Sequence, residues 1–194
     1  MGYPALKQPP SHMTVDEFLD WDDGTDTRYE LIGGEVFAVN PPLRNHTRAV
    51  ANLAREVGSS VTPPCGIDVE AGLRPLNHDD VYFQADAVVS CVPISPKDLW
   101  VPDPVVIFEV LSPSTEGYDR GTKVPIYRAM PTVQEIVLLS TMAFKAELWR
   151  RSGGDWTVSD IEGKDALLHL TSINVKFPLE VIYSGVAFET EKTD

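Results

Sequence analysis

Two apolar runs with the make-up of buried β-strands are each broken by one acidic residue. They are Ala85-Asp86-Ala87-Val88-Val89 and Val105-Val106-Ile107-Phe108-Glu109-Val110-Leu111. A carboxylate inside such a strand is costly unless it is hydrogen-bonded, paired or bound to a metal. Two of them on successive strands predict a sheet whose interior carries a polar centre. Period-2 alternation puts Tyr82, Gln84, Asp86 and Val88 on one face of the first strand, and Val105, Ile107, Glu109 and Leu111 on one face of the second. If those faces meet, the acids lie side by side, where like charges need a cation to stay ionised. Mg²⁺ suits such a pair, because it takes about two carboxylates and fills its other positions with water and substrate oxygen.

The rest of the chain reads as elements around that centre. Thr14 to Trp21 is a short helix with Thr14 as N-cap and Glu17 completing a capping box. Arg28 to Val39 is a hairpin turned at Gly33-Gly34. Arg44 to Val57 is a helix whose His46, Val50, Leu53 and Val57 share one face, with Arg44, Arg48 and Arg55 on another. Strands follow at 67–74, 81–89 and 105–111, then a helix at 122–130 with Pro125 in its first turn. A buried strand at 134–139 and a hairpin of 145–150 with 156–160 complete the pattern, and the tail to Tyr183 alternates weakly. The order predicts a mixed α/β (α+β) domain with one central sheet. Its expected extent is 13–185, between loose tails at 1–12 and 186–194.

Lys123 is the second chemical clue. Lys123, Ile126, Tyr127 and Met130 fall at i, i+3, i+4 and i+7, so the lysine sits on the apolar side of its helix. From there it points toward Glu109 and can orient or activate water. Glu30, in the first hairpin, and His46, at the start of its helix's apolar stripe, are weaker candidates. Glu70 is a possible further inward acid. Asp103 reads as a turn residue, and Asp119 and Arg120 as residues that cap or flank the helix. Trp100, Trp149 and Trp156 read as packing residues.

Other chemistries fit less well. There is no GxSxG, Walker loop, HExxH or GxGxxG after a strand, and the four histidines lack zinc spacing. A net charge of −13 argues against nucleic-acid binding by bulk electrostatics, so DNA affinity is expected to be weak or confined to a cleft. A homodimer that brings two Arg44/Arg48/Arg55 faces together would offset this charge. Cys65 and Cys91 read as reduced, structural thiols. With no membrane-length apolar run and no signal core, the expected location is cytoplasmic.

Four strings are similar to the Uma-two family of restriction-endonuclease-like proteins. They are Tyr-Glu-Leu-Ile-Gly-Gly-Glu-Val (29–36), Ala-Asp-Ala-Val-Val (85–89), Pro-Asp-Pro-Val-Val-Ile-Phe-Glu-Val-Leu-Ser-Pro-Ser-Thr (102–115) and Tyr-Asp-Arg-Gly-Thr-Lys-Val-Pro-Ile-Tyr (118–127). The resemblance spans about 13–185. It implies the PD-(D/E)XK nuclease superfamily: a restriction-endonuclease-like core with a central mixed sheet, added hairpins, and Mg²⁺ or Mn²⁺ held by Asp86 and Glu109. Lys123, Glu30 and His46 match its further motif positions. The superfamily's lysine two residues after the second acid is Leu111 here, the usual proline before the first aspartate is Ala85, and Leu139-Ser140 stands where relatives often carry an aspartate. The implied activity is Mg²⁺-dependent hydrolysis of DNA. The alternative is a catalytically idle binding or regulatory module on the same fold.

Overall fold

The structure, a computed structural model, describes residues 9–188; the expected tails fall largely outside them, at 1–8 and 189–194. Its centre is a six-stranded sheet in the order β3 (Gly66–Leu73), β4 (Phe83–Ser90), β5 (Pro104–Leu111), β6 (Glu135–Ser140), β7 (Lys145–Ser152) and β8 (Asp155–Glu162). Only β5 and β6 run parallel; the other neighbours are antiparallel. A parallel neighbour requires a crossover rather than a tight turn, and that crossover carries the helical segment with Lys123.

The predicted elements ahead of the sheet are present. Helix α1 (Val15–Asp20) has both bonds of the Thr14/Glu17 capping box. Strands β1 (Tyr29–Ile32) and β2 (Glu35–Ala38) form the Gly33-Gly34 hairpin, where both glycines take positive φ. The hairpin is fastened to the sheet by reciprocal 2.9 Å backbone bonds between Leu31 and Tyr82. Helix α2 runs Arg44–Ser60.

Each sheet face has its own core. On one, α2 lays Ala49, Leu53 and Val57 over Ala87, Val89, Val106, Phe108 and Val110. On the other, Val124, Tyr127 and Met130 cover Val88, Ile107, Ile136 and Leu138. Burying one such aliphatic side chain contributes roughly 1.5–3 kcal/mol. Asn52 ties the C-terminal segment to α2 by donating to the Ile182 and Ser184 carbonyls, both at 2.8 Å.

Several expectations need correction. The helix expected at 122–130 starts earlier, as α3 (Glu116–Tyr118), a π-turn over Asp119–Lys123 and α4 (Val124–Ala129). Pro125 has no N–H to return to the Gly121 carbonyl, and the Val124 N–H instead reaches Asp119 O, a five-residue bond. The weakly alternating tail contains a second hairpin, β9 (Leu167–Leu170) with β10 (Val175–Pro178). Its turn is held by Glu135, which is fully buried and accepts from Arg150, from the Thr171 and Ser172 N–H groups and from the Ser172 hydroxyl. Cys65 and Cys91 are joined in a disulfide rather than reduced. The β3–β4 register pairs Gly66 with Ser90, so the cysteines occupy the next positions on opposite strands, a proximity that their separation in sequence conceals. No helix among the described residues is long and apolar enough to cross a membrane.

Candidate active site

The site forms where β4 and β5 stop pairing. Their ladder runs between Ala87↔Phe108 and Ser90↔Pro104. Beyond Ala87 the strands separate, and carboxylates take the place of the missing carbonyl partners. Asp86 Oδ2 accepts the Val110 N–H at 2.6 Å, and Glu109 Oε2 accepts the Asp86 N–H at 3.4 Å. Glu30, delivered by the hairpin, accepts the Gln84 N–H at 2.9 Å. Three acids thus satisfy buried backbone donors that would otherwise be orphaned. The expected alternation fails at the same place: Phe83 and Ala85 pack in the core that also holds Val88, whereas Ala87 and Val89 pack in the other.

Lys123 fills the space between these carboxylates and is almost wholly buried. Its Nζ lies 2.9 Å from Glu30 Oε1, 3.4 Å from Glu109 Oε1 and 3.8 Å from Asp119 Oδ1, and donates to the Gln84 carbonyl at 3.2 Å. Burial alone would lower this ammonium's pKa, but Glu109, Glu30 and Asp119 outweigh it and hold it above the usual lysine range. Burial pushes Glu109 up to about 8; Lys123 opposes the rise, while Asp86 and Asp119 add to it. One lysine shared among three acids cannot offset the desolvation of the deepest one. Asp119 is raised by burial as well, against the pull of Lys123.

Two tyrosines hold the acids in place. Tyr127 donates to Glu109 Oε1 at 2.7 Å, and Tyr118 to Glu30 Oε2 at 3.2 Å. Burial first, and then the facing carboxylates, raise both phenols, so each stays a neutral donor. From the opposite sheet face, the first turn of α2 brings His46 Nε2 to 3.0 Å from Asp86 Oδ2.

All five residues singled out in the sequence, Asp86, Glu109, Lys123, Glu30 and His46, therefore meet in one place. Glu70 does not join them: it is exposed, sits at φ 51° and pairs with Arg28 at 2.6 Å. Asp103 is a turn residue with φ 46°. Asp119, expected to cap or flank the helix, flanks it as a buried neighbour of Lys123. The roles of Tyr118 and Tyr127 were missed. The i, i+4 spacing of Asp119–Lys123–Tyr127 was the available signal.

The donor set suits a hard divalent cation. Asp86 Oδ1 accepts no hydrogen bond from the described residues, and Glu109 Oε2 has only the long contact from Asp86 N–H. Among the described residues no three or more His, Cys, Asp or Glu side chains are grouped so that they could hold a metal ion by themselves.

The sequence comparisons place the chain in a family. Residues 15–181 match the Uma2 family, described as "Putative restriction endonuclease", and the chain belongs to that family. An "Uncharacterized protein slr1290" from Synechocystis sp. is 31% identical over 93% of this chain and 96% of its own length. A second protein of that organism, "Uncharacterized protein sll1609", is 25% identical over 84% of this chain and 95% of its own. Among solved structures, a "putative nuclease belonging to DUF820" from Anabaena variabilis superposes with a TM-score of 0.71 at 17% identity. That match covers 90% of this chain and 99% of the other, and it supports the fold.

Proposed function

We propose that the protein is a divalent-metal-dependent endonuclease that hydrolyses DNA phosphodiester bonds. The observation that carries this reading is the convergence of Asp86, Glu109 and Lys123 in the gap between β4 and β5, with an Asp86 oxygen left unpartnered. Asp86 and Glu109 would hold Mg²⁺ or Mn²⁺, which supplies Lewis-acid polarisation of the scissile phosphate and a more acidic water. His46 fixes Asp86 through Oδ2, leaving Oδ1 to face the cation. Tyr127 does the same for Glu109 from the Oε1 side.

Lys123 takes a narrower role than the sequence suggested. An ammonium held above the usual lysine range donates hydrogen bonds and carries charge, but it does not accept a proton from water. It stabilises negative charge developing on the phosphate oxygens and orients the nucleophile. Glu30 holds it there at 2.9 Å. In a chain of net charge −13, affinity for DNA rests on the bound cation and on local groups rather than on the overall field. The arginines at 44, 48 and 55, exposed on α2, are those a homodimer would bring to one groove. Cytoplasmic residence is part of the same proposal.

The test is cleavage of plasmid, linear duplex and single-stranded DNA with Mg²⁺, Mn²⁺ or EDTA. Cutting that requires the cation and disappears in Asp86→Ala, Glu109→Ala and Lys123→Ala supports the enzyme. DNA binding without cutting under every condition sinks it and favours the idle binding module. Sedimentation at several concentrations tests the homodimer.

A further inference from the structure

One strand away from Glu109 lies a cavity of about 280 Å³ that the proposed chemistry does not use. The register places Glu109 beside Leu138 and Leu138 beside Glu147. Glu147 is thus two strand spacings from Glu109, about 10 Å, on the same sheet face. The cavity sits over this row at the C-terminal ends of the parallel pair β5 and β6. Leu111, Leu138, Pro113 and Met142 give it apolar walls.

Its polar groups are both donors and acceptors. Arg120, from the π-turn that also carries Lys123, donates from Nη1 to Glu147 Oε2 at 2.7 Å and from Nε to Glu116 Oε1 at 2.8 Å. Glu147 is largely buried and also accepts the Trp149 indole N–H at 2.5 Å. Lys145 lines the same space. A phosphate calls for donors alone, and two carboxylates in the lining repel it. A flat heterocycle with an acceptor at one corner and N–H groups beside it fits a guanidinium, two carboxylates and apolar walls.

We infer that this cavity is a base-recognition subsite that takes an unpaired guanine of the strand bound at the Asp86–Glu109–Lys123 centre. The inference rests on the nuclease reading above, because it is the neighbouring centre that makes a nucleotide the occupant. Glu147 accepts from the base N1–H and N2–H, and Arg120 swings from its carboxylates to the O6 acceptor. The apolar walls cover the ring faces. Arg120 and Glu147 then set which nucleotide flanks the scissile bond.

The experiment is a calorimetric titration of the full chain with 2′-deoxyguanosine 5′-monophosphate in EDTA, where no cleavage occurs, with tryptophan fluorescence followed in parallel. The expected result is saturable binding with a fluorescence change, since Trp149 is bonded to Glu147. Arg120→Ala and Glu147→Gln should each weaken binding about tenfold or more, as for loss of a charge-assisted hydrogen bond. The adenine, cytosine and thymine nucleotides should bind at least tenfold more weakly. Equal binding of all four nucleotides, competition by inorganic phosphate, or binding untouched by both variants overturns the subsite. The two readings fail separately. A chain that binds the guanine nucleotide but cuts no DNA refutes the nuclease and leaves the cavity. A chain that cuts every sequence alike and binds no nucleotide refutes the cavity alone.

Discussion

Glu109 makes the stability of the metal-free protein depend on pH in a direction opposite to that of an ordinary paired carboxylate. Its burial lifts its pKa from the usual 4.5 to about 8. Across that window the folded chain keeps a proton that the unfolded chain releases. The contribution is therefore fully present below the ordinary carboxylate range and is lost as pH rises toward 8. The slope is about 1.4 kcal/mol per pH unit, so raising pH from 5.5 to 7.5 removes about 3 kcal/mol. With an unfolding entropy of roughly 2.1 cal/mol/K per residue, a chain of 194 residues loses about 7 °C of melting temperature from this group. Glu109→Gln is the matched control, because an amide is neutral throughout. Calorimetric scans in EDTA should give similar melting temperatures for the two proteins near pH 5.5 and a variant about 7 °C more stable near pH 7.5. Excess Mg²⁺ should restore the wild type at the higher pH, with the cation taking the place of the proton. Parallel curves for the two proteins would mean that Lys123 neutralises Glu109 at every pH, and would refute the reasoning.

Three further substitutions probe the surrounding framework. Lys123→Met leaves the Glu30 and Asp119 carboxylates buried without their cation, and should cost about 3 kcal/mol at pH 7. Urea titrations at pH 7 will measure the deficit. Tyr127→Phe removes the 2.7 Å bond to Glu109. It should cost about 1–2 kcal/mol in stability and reduce metal-dependent cleavage more than DNA binding, as kcat and KM will separate. Glu135→Ala strands Arg150 and the β9–β10 turn; it should cost about 3–5 kcal/mol, read as a lower urea midpoint at unchanged slope.

What the sequence reveals and what it hides divide along a physical line. Glu109 was legible because a carboxylate in the run from Val105 to Leu111 has no cheap place to go. Asp86 was legible for the same reason, and Lys123 because a charge on an apolar helical stripe breaks the local pattern. Such violations are where function is expected. Elements governed by local rules were legible too, as the Thr14/Glu17 box and the Gly33-Gly34 turn show. Hidden were the contacts set by long-range register. The Cys65–Cys91 pairing follows from how β3 meets β4, and the buried Glu135 is explained by Arg150 across the ladder and by a turn 36 residues downstream.

The segment around Lys123 shows how the site is built. A helix with Lys123 on its sheet side brings the residues four before and four after it, Asp119 and Tyr127, to that side as well. The π-turn adds one residue to the helical repeat over Asp119–Lys123. Across this turn Arg120 reaches Glu147 while Asp119 and Lys123 stay on the carboxylate cluster. The missing Pro125 N–H removes the bond that would favour a regular turn. Pro125 thereby favours the backbone geometry that lets one short segment serve both the metal-type centre and the neighbouring cavity. Pro125→Ala should shift this segment toward regular α-helix and pull Arg120 away from Glu147. The expected outcome is a larger loss of guanine-nucleotide binding than of overall stability. Unchanged nucleotide binding in a folded Pro125→Ala protein would show that the π-turn does not depend on the proline.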